Sequence, residues 1–353
     1  MTDRSIVEAA TRLRRTGEPY LIATVLRGSA CRKPGARMLL TRFRWIAGTV
    51  TGSCFEGDLA AEAWSRTDEG KPVVITCDAA ADDDIRSGFG LGGDGGVEIL
   101  LERSGAMGKL DALELAAGCL RLHKRGAIAT VIASDTETMA VGARMAVIAG
   151  EPRFEDGFDP HVRELVAADI TAALDAGEPA IRTYDTPFGT IDVFIEALVP
   201  SPRLFLFGTG HDAVPVAQLA RALGWEVVVC SSRDRRTDRF TMADEVLVGS
   251  PADVAPRIAE ADRAIAVVMN HDRDRDRACV DMLLGTNVRY IGVLGARGDV
   301  IDPRVRATAP GNTPAEIALQ IASEALGACG RHQRPSSAGG SAAARIACHP
   351  APK

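Results

Sequence analysis

One stretch, residues 204–233, constrains this chain more than any other: LFLFGTGHDAVPVAQLARALGWEVVVCSSR. An apolar run at 204–207 is broken by Gly208-Thr209-Gly210, and apolar residues at helical spacing follow over 214–223. Gly224 stops that helix, and 226–230 reads as a second buried strand. Strand, glycine turn, helix and strand within about thirty residues make a βαβ unit. Each small residue has a physical task. Gly208 permits the tight turn, Gly210 lets the backbone approach a phosphate, and Ala213 takes the place of the third small residue that packs helix on strand. The exposed N–H groups and the positive end of the helix then form an anion site.

What that site holds is a separate question. An NAD site carries Asp or Glu at the tip of the second strand. Here Cys230-Ser231-Ser232-Arg233 stands there instead, and serine with arginine suits a 2′-phosphate, so NADP stays open. His211 follows the turn directly and either touches a ligand phosphate or faces solvent at the helix start. Further on, an apolar strand at 264–269 ends in Asn270-His271-Asp272, at a carboxyl end where doubly wound sheets bind ligands. His271 and Asp272 there either hold a ligand or metal, or merely cap the end of the strand.

At 353 residues the chain exceeds what one core usually supports, so two domains are expected. The fold class is α/β: an N-terminal α/β domain over 1–199, then a Rossmann-like, doubly wound parallel-sheet domain over 203–329. Val199-Pro200-Ser201-Pro202 is the expected boundary, with two prolines in four residues. A small, polar tail over 330–353 is expected to be disordered. The net charge of −6 supplies no basic stripe, so nucleic acid is not an expected partner. Nor is a membrane, since no apolar run approaches spanning length. The charged, amphipathic N-terminus and eight cysteines without CxxC spacing point to a cytoplasmic protein with reduced thiols.

Ahead of the boundary, a helix is predicted over 5–15 and strands over 20–26, 38–40 and 45–50. Two loops rich in small residues join these strands. Arg32, Lys33 and Arg37 flank Gly35 in the first, and Cys54 and Glu56 lie in the second. Further strands are predicted at 72–75, 97–102, 127–133, 144–148 and 192–198, with helices at 110–122 and 160–176.

These motifs carry a resemblance. GSACRKPGARMLL followed by GTVTGSCFEGDLAAEA resembles the N-terminal signature of the xanthine dehydrogenase accessory proteins, the XdhC/CoxI family. The glycine turn with His211, the segment YIGVLGAR ending in Arg297, and TPAEIAL at 313–319 resemble the same family's C-terminal half. The family's usual loop cysteine is replaced here by Gly93. The resemblance implies a maturation factor that binds molybdenum cofactor in its molybdopterin form and protects it. It further implies delivery of the sulfurated cofactor to an apo molybdenum hydroxylase, with a cysteine desulfurase as a further partner and self-association into a homo-oligomer. It points to Cys54, Glu56, Arg32, Gly35, Gly208, Gly210, His211, His271, Asp272 and Arg297 as cofactor contacts, with Cys54 nearest a metal. Such a role needs no chemistry at a protein side chain, so a chaperone is expected rather than a catalyst. Two other readings stay open on the residues alone: an NADP-dependent oxidoreductase, and a ligand-sensing regulatory module.

Overall fold

Helix α1 (Arg4–Thr16) turns Ile6, Val7, Ala9, Ala10 and Leu13 to one face, where all five are buried. The chain then builds a five-stranded antiparallel sheet from β1 (Leu21–Arg27), β2 (Arg37–Leu40), β3 (Trp45–Gly48), β4 (Val73–Cys77) and β5 (Val97–Arg103). Its order is β3-β2-β1-β5-β4. Between β3 and β4, residues 62–66 are helical. The computed structural model describes residues 4–28, 33–50, 62–77, 97–104, 111–151, 153–232, 237–295, 302–308 and 313–330.

The same construction then repeats. Helix α2 (Ala112–Leu122) leads into β6 (Gly126–Ser134), β7 (Arg144–Ile148) and β8 (Phe154–Asp156). Helix α3 (Pro160–Ala176), β9 (Ala180–Thr186) and β10 (Gly189–Leu198) complete the set. The second sheet runs β8-β7-β6-β10-β9, which is the first sheet's order with every number raised by five. Sequence and geometry repeat with it. IATVL at 22–26 returns as IATVI at 128–132, and GARM at 35–38 returns at 142–145. Thr24 sits opposite Arg37 in one sheet and Thr130 opposite Arg144 in the other. Gly35 and Gly142 both take positive φ, 85° and 90°, and donate to the carbonyls of Val25 and Val131 at 2.8 Å.

The two copies pack across a pseudo-two-fold. Leu26 and Leu100 of the first meet Ile132 and Phe194 of the second in one apolar cluster. Helices α1 and α2 share another core, with Leu13 and Cys119 among its buried residues. Arg37 pairs with Glu196 and Arg144 with Glu102, so each copy contributes one buried cation and one buried anion. Glycine is needed at both turns for the same reason. A Cβ on Gly142 would stand 2.5 Å from Pro72 of the other copy, and one on Gly35 would stand 2.9 Å from Glu196.

From residue 203 onward the sheet becomes parallel. β11 (Arg203–Phe207), α4 (Ala213–Ala222), β12 (Glu226–Ser231), β13 (Glu245–Val248), α5 (Pro251–Ala259) and β14 (Ala264–Val268) come first. α6 (Arg273–Leu284), β15 (Ile291–Leu294), β16 (Val305–Thr308) and α7 (Pro314–Gly330) follow. The strand order is β13-β12-β11-β14-β15-β16, the doubly wound 3-2-1-4-5-6 arrangement, with every pairing parallel. Alternate residues of β11 feed opposite layers. Leu204 and Leu206 pack with α4 and α7, and Phe205 and Phe207 pack with α5 and α6.

The α/β class and the doubly wound second half are as the sequence predicts, while some elements differ. The segment after Arg297, read as a shortened loop, contributes β16 as the sixth strand. Strands β8 and β9 and helix α5 were not among the predicted elements. The two prolines of α5, Pro251 and Pro256, mask its helical pattern, although Pro251 suits a first turn. Helix α7 runs through Gly330, and the tail expected to be disordered lies otherwise outside the described residues.

Candidate functional site

Strand order reverses between β11 and β14, which leaves a crevice beyond their carboxyl ends. Gly208 closes one wall. Its N–H donates to the carbonyl of Cys230 at 3.1 Å, its φ is 126°, and a Cβ would lie 2.4 Å from the carbonyl oxygen of Met269. This residue is glycine because the β11 turn and the end of β14 meet there, backbone to backbone. Gly210 faces a side chain instead. A Cβ on it would lie 3.1 Å from Nε2 of His271.

His271 is aimed by its own backbone. It has φ 57°, one of two non-glycine residues with positive φ among those described. The turn before it is tied down, since the backbone N–H and side-chain amide of Asn270 both donate to Oδ1 of Asp276 at 3.0 Å. The result places Nε2 of His271 at 3.7 Å from Oδ2 of Asp212, which draws that carboxylate towards the imidazole. Asp212 precedes α4 without any side-chain capping hydrogen bond, so the first N–H groups of that helix keep their capacity to bind an anion. His211 is exposed beside it.

Asp272 has a different task. Its Oδ1 accepts from the N–H groups of Asp274 and Arg275 at 3.2 Å each, which makes it the N-cap of α6. Of the two roles open to it in the sequence, the cap is the one its geometry serves. Arg275 is the residue that sequence reading missed. Its Nη1 donates to Oγ of Ser232 at 3.4 Å, at the tip of β12 where a ribose-binding carboxylate would otherwise stand. Helix direction brings together these residues 43 positions apart, and no local spacing announces it.

Of the first N-terminal loop, Gly35 is described and Lys33 is exposed. Arg37, read as an anion clamp or a solvated loop residue, is neither. It is buried, donates to Gly35 O at 3.2 Å and pairs with Glu196. Arg32, Cys54, Glu56, Gly93, Arg233 and Arg297 lie outside the described residues. Among the described residues, no cluster of three or more His, Cys, Asp or Glu side chains is arranged to hold a metal. Cys119, Cys230, Cys279 and Cys329 are free and buried. Burial pushes the thiols of Cys119 and Cys279 up, to about 12 and about 11. No helix among the described residues is long and apolar enough to cross a membrane.

Residues 13–78 match the XdhC and CoxI family, and residues 204–308 match the XdhC Rossmann domain. The chain belongs to the XdhC/CoxI family. A relative from Bacillus subtilis (strain 168), described as a probable component of xanthine dehydrogenase, is 28% identical over 283 residues, covering 79% of this chain and 80% of that protein. A crystal structure described as a xanthine dehydrogenase from Bacillus halodurans is similar at TM-score 0.72 and 24% identity, covering 96% of this chain and 98% of that one. That likeness extends the shared fold across both halves. In this XdhC/CoxI chain, the crevice residues Gly208, Gly210, His211, His271 and Arg275 all fall inside the matched XdhC Rossmann domain. The loop bearing Gly35 falls inside the matched N-terminal segment.

Proposed function

We propose that this XdhC/CoxI chain is an accessory factor for a xanthine dehydrogenase-type molybdenum hydroxylase, holding molybdenum cofactor and passing it on to the apoenzyme. The supporting observation is the crevice itself. It combines a glycine turn, an uncapped helix start and two histidines at the carboxyl edge of a doubly wound sheet. These residues fit the phosphate end of a pterin cofactor. Gly210 leaves room for close backbone approach, the N–H groups of α4 supply donors, and His271 offsets the charge of Asp212. In this reading the loops carrying Arg32, Gly35, Cys54 and Glu56, together with Arg297, attend the molybdenum end. A cysteine desulfurase supplies the sulfur of the sulfurated form, and the factor works in the cytoplasm as a homo-oligomer. Its domains divide at 199–203. The cofactor supplies the redox chemistry once it is in the hydroxylase; the protein's part is to hold, shield and release.

The test is molybdenum and pterin content per chain after purification from a cofactor-replete host. Wild type retains both, and Gly210→Asp, which sets a carboxylate against the phosphate, retains neither. Undiminished retention by that variant sinks the reading.

One observation favours a second reading. Ser232 and Arg275 meet where a 2′-phosphate would be recognised, which suits NADP. Titration with NADPH, followed by its fluorescence, separates the two. Saturable binding lost in Arg275→Ala supports NADP, and no binding removes it.

A further inference from the structure

A second groove lies at the opposite end of the parallel sheet, where its strands begin. Its volume is about 640 Å³, and its walls come from α1, α2, the linker residues Pro200 and Ser201, and the amino ends of β12 and β13. That size falls within the range of about 300–1,000 Å³ of small-ligand sites, which also favour junctions between packed units.

Its charges do not balance. Three carboxylates line it, and each is already engaged. Glu8 pairs with Arg4 at 2.7 Å and Arg221 at 3.4 Å. Asp244 pairs with Arg4 at 2.5 Å and accepts from the N–H of Val227 at 2.9 Å. Glu226 pairs with Arg203 at 2.9 Å and faces His123 Nδ1 at 3.1 Å. Three further cations line the same groove: Arg12 and Arg15 on α1, and Arg121 in the last turn of α2. All three are exposed, and none has a carboxylate partner among the described residues. A basic residue near a helix end is favoured by the helix dipole, which accounts for where Arg15 and Arg121 sit along their helices. It does not account for their converging with Arg12 on one cavity in a chain whose net charge is −6. Val7, Ala117 and Leu120 contribute apolar wall between them, and low-dielectric walls of this kind focus the field of the charges.

We propose that this groove binds a small polyanion of the phosphate class. Guanidinium forks match phosphate oxygens in pairs, and three of them facing one cavity leave mutual repulsion that a bound polyanion relieves. The site is separate from the crevice at Gly210 and does not depend on what that crevice holds.

Isothermal titration of the full chain with pyrophosphate tests it, in a Gly210→Asp background so that the glycine turn is blocked. One pyrophosphate binds per chain there. Each of Arg12→Gln, Arg15→Gln and Arg121→Gln weakens binding by about tenfold, and the triple variant abolishes it. These are exposed helix positions, so thermal melts stay at the parental value. Arg277→Gln, exposed on α6, serves as the control and leaves affinity unchanged. Absence of binding in the Gly210→Asp chain, an unaltered affinity in the triple variant, or an equal loss in Arg277→Gln would each overturn the proposal.

Discussion

The guanidinium of Arg37 donates to the carboxylate of Glu196 across the seam between the two N-terminal copies, with 8% and 6% of the two side chains exposed. Burying both charges is favourable only while they face each other, so losing one leaves the other stranded. Arg37→Met alone should cost about 3–5 kcal/mol in denaturant unfolding, and Glu196→Leu alone a similar amount. The double variant should regain most of that loss. The Arg144–Glu102 pair, equally buried, should behave the same way. Additive losses in the double variant would show that the pair is not coupled.

Gly208 and Gly210 should part company under mutation. Gly208→Ala forces a Cβ against the Met269 carbonyl at φ 126°, so it should destabilise by about 3 kcal/mol or more. Gly210→Ala meets only the movable ring of His271 and should stay within about 1 kcal/mol of wild type. Comparing thermal melts of the two variants checks this. Equal losses would mean that both glycines serve the turn alone.

Alkaline pH should weaken the fold through its buried thiols. Cys119 is raised from 9.0 to about 12, so below pH 9 it is protonated whether the chain is folded or unfolded, and stability does not depend on it. Between pH 9 and 12 the unfolded chain ionises this thiol while the folded chain does not, and stability falls. Cys279 adds to the loss from 9.0 to about 11. Urea midpoints measured at pH 8, 9.5 and 11 should drop in order, and Cys119→Ala should flatten the slope. At pH 8, iodoacetamide should leave Cys119, Cys230, Cys279 and Cys329 unmodified until denaturant is added.

Asp244 joins the N-terminal helix to the parallel sheet. It accepts from Arg4 and from the N–H of Val227, so Asp244→Ala strands a cation and a backbone donor together. A loss of about 1–3 kcal/mol is expected, and Arg4→Ala in the same background should add little. Full additivity would argue that Arg4 and Asp244 act independently.

The βαβ unit was readable because its glycines, apolar runs and helix stop lie within 30 consecutive residues. The location of the crevice could be read as well, because Gly210 and His271 each follow a recognisable apolar strand. Their partners were not readable. Arg37 finds Glu196 at a distance of 159 residues, and Arg275 reaches Ser232 through the direction of a helix. Strand β9 went unseen because it is a partly exposed edge strand whose polar residues blur its alternation. The repeat itself was visible in IATV and GARM. It escaped notice because two short matches more than a hundred positions apart carry little weight until the sheets align them.

Joining the two copies in one chain removes a constraint that a symmetric pair of identical subunits cannot escape. In such a pair every substitution appears twice, once on each side of the axis. Here the loop before Gly35 carries Lys33 and Pro34, while its counterpart before Gly142 runs Asp135-Thr136-Glu137-Thr138. The scaffold that both share is held by the crossed Arg–Glu pairs, and each loop has been free to take its own charge and chemistry. A dyad in the backbone thus supports a surface with no dyad at all.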